Sequence, residues 1–227
     1  MINGNLYFRK LALAPIYRKF FAEMAYMMKT ELIPFELHLT THDFVASEKE
    51  RFEKSCAEKG GKPLLIELAQ GEHCKQPMMS WVAHKPTLAE AVFAANEFVQ
   101  QFSAEGFSVQ RIKIEIPIAF ERNVDMEKSN SFRPYFEWHG KVKFENASQL
   151  LSLCLEHRAH LSQNALTKNS ALRFITLREY ATAEQFNLRV ANLSRELQKG
   201  NWEIHKQEFE YCVYDTHMAL DNGWLPN

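Results

Sequence analysis

Residues 35–41 read FELHLTT, and residues 136–142 read FEWHGKV. Both stretches place Phe-Glu-x-His at the head of a segment in which apolar and polar residues alternate. Such alternation, with a period of two, is typical of a β-strand that buries one face. Because the pattern recurs in the second half of the chain, we expect the two stretches to be the first strands of two related units.

The segments that follow FELHLTT predict the element order β-α-β-β-α-β. Helix starts are indicated where Ser, Thr or Asn is followed three residues later by Glu or Gln, since such a pair satisfies two backbone donors. Ser47 with Glu50 and Thr87 with Glu90 fit this capping pattern. The predicted strands of this first series are 35–41, 63–69, 78–83 and 109–116.

FEWHGKV opens a second series of elements after a polar stretch. Helices are predicted to start at Asn146 and Thr182, which also fit the capping pattern, through Gln149 and Gln185. Residues 161–168 are predicted to be a short irregular piece. The second series therefore lacks one hairpin strand relative to the first. Its predicted strands are 135–144, 172–179 and 202–215.

The two series predict an α+β fold of tandem, pseudo-duplicated ferredoxin-like (βαββαβ) modules with antiparallel sheets, the second copy abbreviated, and an additional N-terminal helix. A single continuous α+β domain is the alternative. The predicted parts are an N-terminal helical extension (1–33), a first module (34–118), a linker (119–134), a second module (135–216) and a C-terminal tail (217–227).

The composition favours a cytoplasmic globular protein. Lys and Arg number 27 against 28 Asp and Glu, so the net charge is −1 and no overall field indicates a nucleic-acid partner. Four scattered cysteines are typical of reduced thiols in the cytosol. No run approaches the roughly 20 apolar residues of a membrane span.

The first strand of each predicted module carries the candidate catalytic residues. In a ferredoxin-like module, both helices cover one face of the sheet. Glu36 and His38 share the uncovered face of one first strand, and Glu137 and His139 share that of the other. Imidazole exchanges protons near neutral pH, and a neighbouring carboxylate can orient it or act as a base.

The last strand of each module carries a Lys-x-Glu pattern on the same uncovered face, at Lys113-x-Glu115 and Lys206-x-Glu208. Lysine and arginine side chains can hold an anionic group there. The alternative interpretation is a solvated face with cross-strand Glu–Lys pairs. The predicted ligand-binding residues are Lys113, Glu115, Lys141, Lys206, Glu208 and Arg178.

These patterns favour an enzyme or ligand-processing protein with a cleft for a small anionic molecule, such as one that carries phosphate. A non-catalytic module, which binds a ligand or forms a homodimer through its polar sheet faces, is the alternative. A divalent metal would compete for the same groups, but no H-E-x-x-H motif is present, so we predict no metal site. The sequence names no cofactor.

Overall fold

Residues 32–124, 132–167 and 171–224 are described by a computed structural model of the chain. The predicted N-terminal helix falls mostly on residues 1–31, outside this part. The described residues form eight strands and four α-helices. The strands are Ile33–Thr41 (β1), Lys62–Leu68 (β2), Lys75–Lys85 (β3), Val109–Pro117 (β4), Tyr135–Lys143 (β5), Ala159–Asn164 (β6), Leu172–Glu179 (β7) and Ile204–Asp215 (β8). The helices are Lys49–Glu58 (α1), Leu88–Ala104 (α2), Ala147–Glu156 (α3) and Ala183–Lys199 (α4).

The eight strands form one closed antiparallel barrel in the order β1-β3-β2-β6-β7-β5-β8-β4, with β4 returning to β1. The predicted fold class of tandem ferredoxin-like α+β modules is therefore wrong. Two seams overturn it, because β2 pairs with β6 and β4 pairs with β8. Each seam joins a strand of the first half of the chain to a strand of the second half. The strands that would be the edges of two separate sheets are thus paired with each other in a single barrel.

The second series of elements is not abbreviated, in contrast to the prediction. The predicted irregular piece, 161–168, overlaps β6, which pairs with β2 and β7. This strand is only six residues long, and its buried polar residues include His160, Ser162 and Asn164. Polar residues that point inward weaken the hydrophobic alternation by which a strand is identified.

Two hydrophobic clusters lie between the barrel wall and the helices. In the first, Phe35, Leu37 and Leu39 of β1 are fully buried with residues of α1 and α2. In the second, Trp138 and Val142 of β5 are buried with residues of α3 and α4. Because side chains alternate along a strand, the polar residues between them point to the other side of the wall, into the barrel.

The position of this polar face bears on the predicted homodimer. That prediction assumed sheet faces that needed a covering partner, whereas a closed barrel turns these faces toward each other. Within the described residues, the polar faces of the first strands therefore line an interior. The homodimer stays a prediction, but the need to cover a polar sheet face no longer supports it.

Two of the four predicted capping pairs are confirmed in their N-cap half, the hydrogen bond that the threonine side chain accepts. Thr87 accepts a hydrogen bond from the backbone N–H of Glu90, and Thr182 accepts one from that of Gln185, each at 3.2 Å. Asn146 precedes α3 in a left-handed conformation, with φ of 52°, and its side chain makes no capping bond. The prediction at Ser47 is wrong, because that residue lies inside a short 3₁₀-helix, Ala46–Glu48, ahead of α1.

The cysteines and the helices bear on two predictions, those of reduced thiols and of a chain without a membrane span. All four cysteines are free thiols, three of them buried and Cys74 exposed. Among the described helices, none has the length and apolar character needed to span a bilayer.

Candidate functional site

The barrel encloses a cavity of about 350 Å³, which we call the central chamber. All eight strands contribute side chains to its lining. Asp221 and Trp224 also line it, and they belong to residues 216–224 after β8, which we call the C-terminal segment. All ten predicted site residues line it. They are Glu36, His38, Glu137, His139, Lys113, Glu115, Lys141, Lys206, Glu208 and Arg178.

The chamber has two chemically different walls. Strands β1, β4, β5 and β8 form an ionic wall, which carries five glutamates, both predicted histidines and three of the four lysines that line the chamber. Strands β2, β3 and β7 contribute most of the apolar lining, namely Leu64, Ile66, Leu68, Met78 and Phe174. A ligand in the chamber would thus meet charged groups on one side and hydrocarbon on the other.

Each imidazole of the ionic wall lies between two carboxylates. His38 Nε2 is 3.1 Å from Glu115 Oε2 and 3.7 Å from Glu36 Oε1. His139 Nε2 is 3.3 Å from Oε2 of both Glu137 and Glu210. The two halves of the chain therefore build the same Glu–His–Glu arrangement.

Glu210 was missed by the sequence analysis. In the antiparallel registers, Glu36 lies opposite Glu115, and Glu137 lies opposite Glu210 rather than Glu208. The Lys-x-Glu pattern of β8 is thus displaced by two residues from its apparent match in β4. The alternation of Glu208 and Glu210 was a visible signal that both face the same side.

The carboxylates raise the pKa of both histidines. Burial alone would lower the pKa of His139, but the hydrogen bonds with Glu137 and Glu210 outweigh it and raise the pKa to about 10. For His38, burial again acts downward, and the hydrogen bond and charge of Glu115 raise the pKa above its ordinary value of 6.5. His139 is consequently an imidazolium at neutral pH.

Glu137 is the centre of a buried ion network. Its carboxylate forms ion pairs with Lys113 Nζ at 2.5 Å and with Arg178 Nη2 at 2.6 Å. Its side chain is only 1% exposed. Burial opposes its ionisation, yet Lys113 and Arg178 hold the pKa of Glu137 well below its usual range. Lys113 also contacts Glu115 at 2.8 Å. Both cations are thus already paired with carboxylates.

The C-terminal segment lines one end of the chamber, and its short 3₁₀-helix spans Met218–Asp221. Asp221 links two strands, because its carboxylate accepts hydrogen bonds from Arg111 Nη1 at 3.0 Å and from Arg178 Nη2 at 2.7 Å. Arg111 is also held by Asp215, at 2.9 and 2.5 Å. Neither aspartate was among the predicted site residues, because no local sequence pattern links either of them to an arginine.

The other end of the chamber is more exposed, and we call it the mouth. Lys206 and Glu208 form an ion pair there at 2.5 Å, with side chains 65% and 44% exposed. Lys141, which is partly buried, and Lys62, which is exposed, also line the chamber. Within the part of the chain that the structure describes, neither has an ion-pair partner. The mouth therefore presents cations that a ligand could engage.

Three side chains of the ionic wall could hold a metal ion. Glu115, His139 and Glu210 each offer one ligand atom, and these atoms all lie within 4.8 Å of one another. The three residues come from β4, β5 and β8, so no local sequence motif records them. The prediction of a site without metal stays a prediction.

No protein-family model matches the chain, and no curated protein matches it by sequence. One solved structure that it resembles is the regulatory subunit of aspartate kinase from Thermus thermophilus, in its ligand-free form. The likeness extends over 73% of this chain and 93% of that chain, at 11% sequence identity and a TM-score of 0.29. A TM-score this low carries no conclusion about fold or function.

Proposed function

We propose that the central chamber binds a small anionic molecule, such as one that carries phosphate, and that its histidines take part in proton exchange with that ligand. The observation that carries this proposal is the convergence of all ten predicted site residues on one cavity. Its volume, about 350 Å³, falls within the range of small-molecule sites.

The anion is best placed at the mouth. Lys113 and Arg178 are each engaged by two carboxylates, so capturing an anion would require breaking buried ion pairs. Lys141 and Lys206 are better candidates. Lys141 has no carboxylate partner within the described residues, and the exposed pair of Lys206 with Glu208 costs little to break.

His38 is the better candidate for proton exchange. A general acid or base works best when its pKa lies near the working pH, and His139 with a pKa of about 10 stays protonated. His38 Nδ1 is buried and has no hydrogen-bond partner within the described chain. We therefore assign proton exchange to His38 and positive charge to His139.

Isothermal titration calorimetry with phosphate, tripolyphosphate and a panel of nucleotides tests the binding proposal. We expect at least one of these probes to bind. The substitutions Lys141→Gln and Lys206→Gln should each weaken its binding by about tenfold, or ~1.4 kcal/mol. The control Lys54→Gln, which removes an exposed lysine of α1, should bind like the wild type.

Failure of every probe to bind, or full affinity in both mouth variants, would overturn the proposal. Turnover of the bound probe, measured as the release of phosphate, separates the two classes of function. If the protein is an enzyme, the His38→Gln variant should still bind the probe but should no longer turn it over. Binding without turnover in the wild type would favour the alternative, a non-catalytic ligand-binding module.

A further inference from the structure

Glu115, His139 and Glu210 meet in the ionic wall, and the anion proposal uses only the charge of His139. Their three ligand atoms lie within 4.8 Å of one another, although the residues are contributed by three different strands. Ligands of one ion, at bonds of about 2.1 Å, stand at most about 4.2 Å apart. Small side-chain rotations are therefore enough to bring all three atoms onto one ion.

The orientation of His139 is that of a metal ligand. Its Nδ1 lies 3.0 Å from the hydroxyl oxygen of Thr176, while Nε2 points to the carboxylates. A histidine that binds a metal through one ring nitrogen characteristically donates the N–H of the other to a polar partner, which fixes the tautomer and the ring orientation. Thr176, which is 2% exposed, is placed to be that partner.

Four carboxylates lie at this point of the wall. Glu36, Glu115, Glu137 and Glu210 all lie within 3.7 Å of one of the two imidazoles. Glu115 and Glu137 are also paired with Lys113, whereas Glu210 has no lysine or arginine partner within the described residues. A divalent cation would supply Glu210 with a counter-charge.

Two of the three side chains are partly exposed. Glu115 is 1% exposed, whereas Glu210 and His139 are 13% and 23% exposed. An ion could therefore approach the group on the side of Glu210 and His139.

We propose that Glu115, His139 and Glu210 bind one divalent transition-metal ion, of the Mn²⁺ or Zn²⁺ kind. One imidazole with two carboxylates is a ligand set that suits these ions. Three protein ligands leave further coordination positions for water or for oxygen atoms of a ligand. The ion binds Nε2 of His139, and His38 remains as the proton-exchanging group.

This site can be tested separately from the proposed anion binding. Full-length protein, freed of metal with a chelator, is titrated with Mn²⁺ while the free ion is measured by electron paramagnetic resonance. We expect one Mn²⁺ to bind per chain. Glu210→Gln should weaken the binding by at least tenfold, and Thr176→Val should weaken it by about tenfold, because Thr176 orients His139.

Glu203→Gln is the matched control, since it removes an exposed carboxylate immediately before β8 and should leave Mn²⁺ affinity unchanged. Thermal melting of each apo variant identifies any loss of folding, and His139→Gln serves as a second test if Glu210→Gln is unstable. Absence of Mn²⁺ binding in the wild type, or equal affinity in the folded Glu210 or His139 variant, would overturn the metal site. Phosphate-probe binding in the presence of chelator is measured separately, so the two proposals can fail independently.

Discussion

At the scale of single residues, the interior of the barrel depends on Glu137. Two cations, Lys113 and Arg178, and the imidazole of His139 all contact one carboxylate that is almost fully removed from water. Breaking a buried ion pair by removing one partner costs far more than an exposed pair contributes, because the remaining charge stays desolvated.

Glu137→Gln should therefore lower the free energy of unfolding by about 3–5 kcal/mol, since it leaves two buried cations with one counter-charge fewer. Urea denaturation followed by circular dichroism measures the change. Glu208→Gln is the control, because its exposed pair with Lys206 should contribute no more than about 1 kcal/mol. Equal losses in the two variants would show that Glu137 is not the centre of the network.

Much of the candidate site could be predicted at this scale. That Glu36 and His38 share one face follows from the alternation of the strand, which is a local property of the chain. The partners Glu210 and Asp221 could not be found in the same way. Their contacts depend on strand register and on a C-terminal segment that returns to the barrel, and neither is written in neighbouring residues.

At the scale of elements, α4 and α3 differ in how they begin. Thr182 satisfies a free backbone donor of α4 through its side chain, while Asn146 before α3 makes no such bond and has a positive φ. Of these two helices, only α4 thus has the capping bond that the sequence pattern predicts.

Thr182→Ala should destabilise the protein by about 1 kcal/mol, the usual value of a lost N-cap. Asn146→Gly should leave stability within about 0.5 kcal/mol of the wild type or raise it slightly, because glycine adopts positive φ without steric cost. Thermal denaturation of both variants measures the difference. A loss at Asn146 as large as that at Thr182 would contradict the absence of a cap there.

Most elements could be predicted because their signals are local. The strand at 172–179 agrees at both ends with β7, and the helices after Thr87 and Thr182 begin where predicted. The missed strand, β6, points polar residues into the chamber and therefore lacks the apolar alternation on which the prediction relied.

At the scale of the whole molecule, closure of the barrel depends on two seams. The seam between β2 and β6 contains only three paired positions, Ile66 with Asn164, Glu67 with Gln163 and Leu68 with Ser162. Asn164 strengthens it, because its side-chain oxygen accepts hydrogen bonds from the backbone N–H of Leu65 at 3.0 Å and of Leu166 at 3.1 Å.

Asn164→Ala should destabilise the protein by about 1–3 kcal/mol, since it leaves two backbone donors without their acceptor in a largely buried position. Hydrogen exchange at Leu65 and Leu166 should become faster than at other strand residues. Gln163→Ala, on the same strand, removes only a partly exposed side-chain contact with Glu67 and should cost less than about 1 kcal/mol. Unchanged exchange at both amides would mean that Asn164 does not hold the seam.

The closed architecture could not be predicted from local pattern. Pairing between β2 and β6, or between β4 and β8, joins residues separated by about a hundred positions, and each strand would show the same alternation at the edge of an open sheet. The polar faces were identified correctly as faces, but only the seams place them inside one chamber.

The two seams and the C-terminal segment have a consequence for folding during synthesis. A ribosome releases β2 and β4 well before β6 and β8, so the first half of the chain leaves the exit tunnel with two strands that still lack a neighbour. Asp221, the shared counter-ion of Arg111 and Arg178, follows all eight strands. Neutralisation of the two guanidinium groups by this carboxylate must therefore wait until every strand has been synthesised.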